Sequence, residues 1–340
     1  STRKESSAAS DVYKRQQYPN GLRGKLLKLT GPIFLETLLI LTLGVVDTLM
    51  LSHYSDNAVA AAGVVNQLLN MVFLLFNVTA VGTSVMCALY FGAKDTKSFT
   101  QVVGVSLLFN SVIGIIISLL LTFGGKQMLV WMDIRPNLMP MAVTYMQIVG
   151  GFGFFQAISF TVSAVLRAAN KPNYAMQVTF LINIFNIIGN YSLIYGHFGF
   201  PEMGIQGAAI STSVCRGLGM LFLFFVLFKR LIHRMPLAYF RPFPFDKLRD
   251  VLKVGMPSAA EQISYDAAQV CVVYFINMLG NEVLTARVYI MNIVIIGYIF
   301  SLAMASATSV CTGNLVGAGK KQAAYILLSL IHISEPTRPR

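Results

Sequence analysis

The stretch that decides the fold is LILTLGVVDTLMLSHYSD, residues Leu39–Asp56. It places the carboxylate of Asp47 in the middle of an apolar run that carries no other charge before Asp56. About 20 apolar residues suffice for a helix that crosses a bilayer. An ionised carboxylate at the bilayer centre costs about 2.5–3.5 kcal/mol on the insertion scale, so such acids usually mark ion pathways. The stretch therefore predicts a membrane helix that carries a functional acid.

Apolar runs of this kind recur along the whole chain. Of 340 residues, 55% are hydrophobic and 12% charged, and the mean hydropathy is +0.65; soluble domains carry about 25% charged residues. A β-barrel would show short alternating strands instead. We therefore predict an all-α polytopic membrane protein with eight spans. They cover 31–52, 59–91, 101–123, 138–166, 174–195, 204–228, 250–279 and 283–316.

The net charge of +12 is distributed unevenly among the loops. The loops of one side receive almost all the basic residues, whereas the opposite loops hold only Lys126 and Arg135. This asymmetry follows the positive-inside rule. It predicts a cytoplasmic N-terminus, and it explains the basic charge without a nucleic-acid partner. We expect the protein to lie in a plasma (bacterial inner) membrane. The residues on the basic side are Arg23, Lys25, Lys28, Lys94, Lys97, Arg167, Lys171, Lys229, Arg230, Arg234, Arg241, Lys247, Arg249, Lys253, Lys320 and Lys321.

The two ends of the chain share an unusual relation. One DNA sequence that encodes DVYKRQ (residues 11–16) encodes LSLIHI (residues 328–333) on its complementary strand. Unrelated protein ends should not be reverse complements of one another. We therefore expect residues 1–16 and 328–340 to be artefacts derived from sequencing adapters, and we exclude them from the fold prediction.

An internal repeat predicts the domain organisation. A shift of 225 residues places Pro32 on Pro257 and Glu36 on Glu261. Six spans separate the copies, so both run in the same direction and are expected to pack around an axis along the membrane normal. We predict a two-lobe helical transporter of which about eight of twelve helices are present. Its parts are an N-lobe of six spans (17–229), a cytoplasmic inter-lobe loop (230–250) and a truncated C-lobe of two spans (251–327).

The first candidate site lies in the N-lobe. Burial disfavours the charged form of a carboxylate, so Asp47 is either a proton carrier or, kept ionised, a ligand for a monovalent cation. The alternative is a structural hydrogen bond to a neighbouring helix. Asn183, Asn186 and Asn190 share one face of the fifth span. Their oxygens suit a small cation, and their amide groups equally suit hydrogen bonds between helices. Thr212 adds a hydroxyl on the sixth span.

The second candidate site lies on the seventh span. A polar stripe at helical spacing there is expected to face a cavity, because a polar stripe facing lipid would be costly. The stripe comprises Ser258, Gln262, Tyr265 and Gln269, and Glu261 and Asp266 flank it. Pro32 and Pro257 are predicted either to begin their helices or to act as hinges. Glu36, near the cytoplasmic end of its helix, is expected to reach interfacial water in a structural role.

Three motifs resemble the multidrug and toxic compound extrusion (MATE) family. They are VVDTLM (Val45–Met50), NIIGNYSLIYGHFGFPEMGIQGAAIST (Asn186–Thr212) and GMPSAAEQ (Gly255–Gln262). The resemblance implies twelve helices in two lobes that exchange Na⁺ or H⁺ for organic compounds moving outward. It also implies that Asp47 couples the ion gradient, with Asn186, Asn190 and Thr212 around it as a possible Na⁺ site.

The resemblance extends to the C-lobe with departures. We name Glu261 as a further candidate for cation coupling, and Asn183, Tyr265, Asp266, Gln269 and Arg287 as candidates for the substrate cavity; the role of the C-lobe acids stays open. Some members carry a second acid where this chain has Asn190. Several branches have Glu at the place of Tyr265, and His or Gln at the place of Arg287.

The sequence thus predicts a secondary-active efflux antiporter coupled to H⁺ or Na⁺, with no other cofactor. Its expected partners are small organic, cationic or amphipathic substrates and the lipid bilayer, and we expect a monomer. A lipid-linked saccharide flippase would need a cavity rich in Arg and Lys, whereas the acids here outnumber them inside the spans. A membrane-embedded enzyme would need clustered catalytic residues such as HExxH, which the sequence lacks. A receptor without transport would not need acids in its spans.

Overall fold

The computed structural model describes residues 2–232, 236–241, 243–278 and 281–332, and the regular structure in these ranges is entirely helical. The α-helices are α1 (Thr2–Ser52), α2 (Asp56–Gly92), α3 (Thr96–Trp131), α4 (Met139–Tyr145), α5 (Phe154–Ala168), α6 (Pro172–Ile194), α7 (Ile205–Arg230), α8 (Phe245–Met278), α9 (Asn281–Gly317) and α10 (Lys321–His332). A π-helical turn (Met146–Gly150) precedes α5, and a 3₁₀ turn (Leu237–Phe240) precedes α8.

The helix ends follow from local sequence. The side chain of Asp95 accepts a hydrogen bond from the backbone N–H of Ser98 at 3.0 Å and caps the first turn of α3. Pro172 begins α6, where its missing N–H leaves no bond unmade. Lys94 and Gly319 adopt left-handed backbone conformations, with φ of 57° and 74°, in the turns that follow α2 and α9.

The predicted spans can be compared with helices of sufficient length and apolarity. Within the described residues six helices qualify by length and composition: Gly21–Ser52, Asp56–Gly92, Thr96–Trp131, Pro172–Ile194, Ile205–Arg230 and Gly297–Gly317. A seventh span forms if Met139–Gly150 and Phe154–Ala168, which meet at 44°, are counted together. Helix α8 covers the predicted span 250–279 as far as Met278, but its polar and charged residues make it less apolar than these six helices. The chain is thus a multi-pass helical membrane protein, and α1 and α10 continue without a break across the boundaries predicted at residues 16 and 328.

The internal repeat is visible in the backbone. The offset of 225 residues maps both bounds of α2 onto those of α9, and the start of α3 onto the start of α10. The turns between them repeat as well. The N–H of Lys94 donates to the carbonyl of Phe91 at 3.2 Å, and Gly319 donates to Val316 at 3.0 Å. The same offset therefore relates the local structure of the two segments.

Helix α2 packs extensively against four helices, α3, α5, α8 and α9. Glycines permit its closest crossings. A Cβ on Gly82 would overlap the carbonyl of Val251, and a Cβ on Gly255 would overlap the carbonyl of Val78. Small residues allow backbones to approach closely where no water-driven hydrophobic force acts between helices. Helix α1 runs along α6 and α9, which determines what its polar side chains meet.

Candidate functional site

Asp47 is held by a neutral amide. It lies half-buried on α1 where α1 packs against α6, and the Nδ2 of Asn190 donates a hydrogen bond to its Oδ1 at 2.6 Å. The described ion pairs within 4.0 Å are Glu36–Arg167 and Lys247–Asp246, so Asp47 belongs to neither of them. Its partner stabilises the carboxylate without balancing its charge.

A chain of hydrogen bonds extends from Asp47 to α7. The Nδ2 of Asn190 also donates to the Oδ1 of Asn186 at 3.0 Å, and the Nδ2 of Asn186 lies 3.5 Å from the hydroxyl of Thr212. Asn190 and Asn186 are 0% and 1% exposed. The structure therefore brings together four predicted residues, Asp47, Asn186, Asn190 and Thr212, which we call the N-lobe cluster.

The N-lobe cluster has an unused acceptor. The Oδ1 of Asn190 is buried and has no hydrogen-bond partner within the part of the chain that the structure describes. A buried acceptor without a donor costs free energy comparable to a lost hydrogen bond. A carboxylate, two amide oxygens and a hydroxyl are the oxygen ligands that hard cations accept. The same residues would equally hold a proton on Asp47, so the cluster fits either ion.

Two polar side chains clamp the backbone of α1 on either side of Asp47. The Nδ2 of Asn183 donates to the carbonyl of Leu39 at 2.8 Å, and the hydroxyl of Tyr195 donates to the carbonyl of Met50 at 2.6 Å. Asn183 therefore forms a hydrogen bond between α6 and α1 and does not reach the N-lobe cluster. Tyr195 lies one residue beyond α6, and its sequence position gave no sign of this role.

Arg216 and Tyr145 adjoin the N-lobe cluster, although the sequence prediction did not include them. Arg216 follows Thr212 by one turn on α7, and its guanidinium carbon lies 5.2 Å from the ring centroid of Phe73. The hydroxyl of Tyr145 donates to Asn66 at 3.4 Å. Neither forms a hydrogen bond or an ion pair with Asp47 among the described residues. The i, i+4 spacing of Thr212 and Arg216 was the available sequence signal.

The expectation that Glu36 reaches interfacial water is wrong. Glu36 is 4% exposed, and the Nη1 of Arg167 donates to its two carboxylate oxygens at 3.1 and 3.2 Å. Arg167 lies in the last turn of α5 and not in a loop. The charge of Glu36 is therefore balanced inside the protein.

A cavity of about 410 Å³ opens between α1, α2, α8 and α9. Hydroxyl and amide groups contribute most of its polar lining, and Arg167 reaches its wall. Ser258 and Gln262 of the predicted stripe line the cavity, as expected. Its polar lining residues are Thr37, Asn77, Ser84, Arg167, Ser258, Gln262, Ser306 and Ser309.

The other predicted C-lobe residues lie away from this cavity. Glu261, Tyr265 and Asp266 are exposed, and Asp266 accepts a hydrogen bond from Gln262 at 3.1 Å. The Nη2 of Arg287 donates to the Oε1 of Gln269 at 2.7 Å. No described contact joins Glu261 to the N-lobe cluster, so its predicted part in the coupling site gains no support from the geometry.

Neither predicted hinge begins a helix. Pro32 and Pro257 both lie inside continuous helices, α1 and α8. Proline inside a helix removes one backbone hydrogen bond. Their role as hinges stays a prediction.

The chain is similar in sequence to one family of proteins. The family model MatE matches residues 32–192 and 257–333. The chain is 40% identical over 300 residues to "Uncharacterized transporter YisQ" of Bacillus subtilis (strain 168), covering 88% of this chain and 66% of that protein. It is 27% identical over 303 residues to "Probable multidrug resistance protein NorM" of Thermotoga maritima, covering 88% of this chain and 65% of the relative. The chain thus spans slightly less than two thirds of each relative.

Solved structures show the same fold. "Crystal structure of MATE in the bent conformation" matches with a TM-score of 0.83 at 23% identity, over 92% of this chain and 69% of that one. "Outward-facing conformation of a multidrug resistance MATE family transporter of the MOP superfamily" matches with a TM-score of 0.81 at 24% identity, over 91% and 69%.

Proposed function

The chain belongs to the MatE family, and from that premise we propose that it acts as a secondary-active efflux antiporter coupled to the influx of H⁺ or Na⁺. The relatives it matches are named as a transporter and as probable multidrug resistance proteins. The multi-pass helical fold agrees with an activity that takes place across a membrane. The positive-inside pattern of its loops supports a cytoplasmic N-terminus, and its bacterial relatives support a location in a bacterial inner membrane.

One observation carries the proposal: an acid in an apolar span has a neutral partner. Asn190 holds Asp47 with an amide, so the carboxylate keeps a charge that an incoming cation can neutralise. Asn186, Asn190 and Thr212 would supply further oxygens to Na⁺, whereas H⁺ would bind the carboxylate alone. No other cofactor is needed. One charge that crosses a potential of 100 mV contributes about 2.3 kcal/mol, so one coupled ion could sustain a useful substrate gradient.

Cation binding would act on the position of α1. The backbone of α1 is clamped to α6 by Asn183 and Tyr195, and Asp47 lies between these two contacts. A ligand shifts a conformational equilibrium only through different affinities for the two states. Neutralising Asp47 changes its bond to Asn190, and this change would alter the packing of α1 against α6 in one state more than in the other.

The cavity between α1, α2, α8 and α9 is the proposed substrate route. Its volume of about 410 Å³ is in the range of small-molecule pockets, about 300–1,000 Å³. The preference for cationic or amphipathic organic compounds follows from the family resemblance. The hydroxyl and amide groups of the lining suit the polar end of such compounds. We further propose that the transporter acts as a monomer.

The test is Asp47→Asn in the full-length protein that contains this sequence. We expect efflux of a fluorescent cationic dye, driven by an imposed H⁺ or Na⁺ gradient in proteoliposomes, to fall to the background of empty vesicles. Asp56→Asn is the matched control, because this exposed acid begins α2 outside the N-lobe cluster. Its efflux should equal that of the wild type. Gradient-driven efflux by Asp47→Asn at the wild-type rate would end the coupling proposal.

A further inference from the structure

Arg167 is the charged residue of the cavity between α1, α2, α8 and α9. This cavity has a volume of about 410 Å³, and Arg167 alone is charged among the described residues that line it. The rest of this lining is apolar or carries neutral hydroxyl and amide groups. Ionisable groups in membrane spans usually face a cavity and mark a substrate or ion pathway. The cavity therefore presents a positive group and, in its described lining, no carboxylate.

Glu36 holds the guanidinium of Arg167 without using all of its donors. The Nη1 of Arg167 donates to the two carboxylate oxygens of Glu36 at 3.1 and 3.2 Å, and the described hydrogen bonds of this side chain involve Nη1 alone. The Nε and Nη2 atoms of a guanidinium are donors as well. The side chain of Arg167 is 24% exposed and that of Glu36 is 5% exposed, and of the two only Arg167 lines the cavity. The ion pair thus presents its positive member to the cavity and keeps donors available there.

A carboxylate is the ligand group that Arg167 fits best. A guanidinium binds a carboxylate through parallel N–H···O bonds, which are stronger and more directional than bonds to a neutral acceptor. Ser84 and Ser309 add hydroxyl donors to the lining. An ammonium group would meet the guanidinium and would find no carboxylate in the described lining. The apolar part of the lining, which includes Leu74 and Leu302, suits the body of an amphipathic molecule.

We propose that Arg167 determines substrate specificity by anchoring the carboxylate of an amphipathic compound in this cavity. The inference rests on the proposed antiport and narrows its substrate class: among amphipathic compounds of equal size, those with a free carboxylate are preferred. A zwitterion meets this requirement, because its cationic group can lie away from Arg167. Glu36 acts as a positioning residue that fixes the guanidinium at the cavity wall. Because Glu36 also balances the charge of Arg167, the preference arises from directed hydrogen bonds and not from net charge.

A purely structural role for Arg167 predicts a different result. If the ion pair only fixed α1 to the end of α5, its removal would reduce the amount of folded protein and would affect every substrate alike. An anchor for carboxylates affects only the compounds that carry one. A matched pair of dyes separates the two roles. One is a rhodamine with a free carboxylate, which is a zwitterion, and the other is its methyl ester, which is a cation of nearly the same size and shape.

The experiment compares the wild type with the double variant Glu36→Gln and Arg167→Gln in the full-length protein that contains this sequence. The double variant is used because it leaves no unpaired charge buried. Binding of each dye to the purified protein is measured by fluorescence anisotropy. We expect the wild type to bind the free-carboxylate dye more tightly than the ester. In the double variant the Kd of the carboxylate dye should rise about tenfold, as loss of a charge-assisted hydrogen bond implies, while the Kd of the ester stays the same.

Arg249→Gln is the matched control, because this exposed residue of α8 lies outside the cavity lining. Both of its Kd values should equal those of the wild type. Binding needs no gradient, so it tests the anchor apart from the antiport. If neither dye is exported under any H⁺ or Na⁺ gradient, the antiport proposal fails, and the two Kd values still decide the role of Arg167. A wild type that binds the ester as tightly as the carboxylate dye, or a double variant that weakens both dyes equally, would overturn the inference.

Discussion

The acids Glu36 and Asp47 lie on α1 about three helical turns apart, and the protein holds these two side chains in opposite ways. Glu36 is 4% exposed and accepts two hydrogen bonds from the guanidinium of Arg167. Asp47 is half-buried and accepts one from the neutral amide of Asn190. One acid has a fixed counter-charge in contact, and the other does not.

The same chemical group therefore has different electrostatic surroundings at the two positions, which agrees with a structural role for Glu36 and with the ion-binding role that we propose for Asp47. A carboxylate paired with a guanidinium needs no further cation, and it fixes α1 to the end of α5. A carboxylate held by an amide has its geometry fixed while its charge stays available. A positive charge in contact with the carboxylate therefore distinguishes Glu36 from Asp47.

The largest effect on stability should come from Glu36→Gln. Breaking a buried ion pair costs about 3–5 kcal/mol; because the side chain of Arg167 is 24% exposed, we expect about 2–3 kcal/mol after solvent screening. Asp47→Asn should cost less than about 1 kcal/mol, because an amide oxygen can still accept from Asn190. The midpoint of thermal unfolding in detergent measures both.

A double variant tests whether the unpaired buried charge causes this loss of stability. Glu36→Gln with Arg167→Gln removes both charges, and stability should recover partly because no unpaired charge stays buried. If Glu36→Gln and Asp47→Asn destabilised the protein equally, the contrast between an ion-paired Glu36 and an Asp47 held by an amide would be wrong.

Asn190→Ala should have the next largest effect. It removes the hydrogen bonds to Asp47 and Asn186, which predicts a loss of about 1–2 kcal/mol. The matched control is Asn183→Ala, which removes one bond to the backbone of α1. Only Asn190→Ala should change the cation concentration for half-maximal dye efflux. An equal change in Asn183→Ala would show that the cluster acts through the position of α1 alone.

Much of the fold follows from sequence because the bilayer imposes a simple pattern. Apolar runs of sufficient length must be helical in lipid, and within the described residues each predicted span coincides, apart from a residue or so at its ends, with a helix or with the broken pair α4–α5. The repeat was visible from a few matches such as Pro32 with Pro257, and the bounds of α2 and α9 share its offset. The break at Met146–Gly150 was not predicted, because no proline in that turn marks it.

The sites were harder to predict, since partners across helices depend on how each helix is rotated. The spacing of Asn183, Asn186 and Asn190 predicted a common face, but not that Asn183 would bind the backbone of Leu39. Arg167 appeared as a loop charge because it ends α5, and only the packing of α5 against its neighbours shows it reaching Glu36. The polar stripe of α8 has the predicted helical spacing, but only part of it faces the cavity. Ser258 and Gln262 line the cavity, whereas Tyr265 is exposed.

The smallest effect concerns a third acid, Asp95, which lies outside the spans and caps α3. Its pKa is lowered because the carboxylate accepts hydrogen bonds from the side chain and the backbone of Ser98. A lowered pKa means that the charged form stabilises the folded state. This stabilisation is complete above the ordinary pKa of about 3.9 and is lost as pH falls through the folded value.

Asp95→Ala should therefore cost about 1 kcal/mol near neutral pH, the usual contribution of an N-cap, and less at acidic pH. Asp95→Asn keeps a capping oxygen but cannot titrate, so it should match the wild type at neutral pH and exceed it in stability near pH 3 to 4, about the ordinary range of the carboxyl. Unfolding midpoints measured over this pH range test this prediction.

Helix α10 begins at the repeat-related position after Lys320. A lysine side chain carries no hydrogen-bond acceptor, so Lys320→Asp should supply a capping carboxylate to α10. If Lys320→Asp added no stability, the capping role inferred for Asp95 would not be a property of this turn.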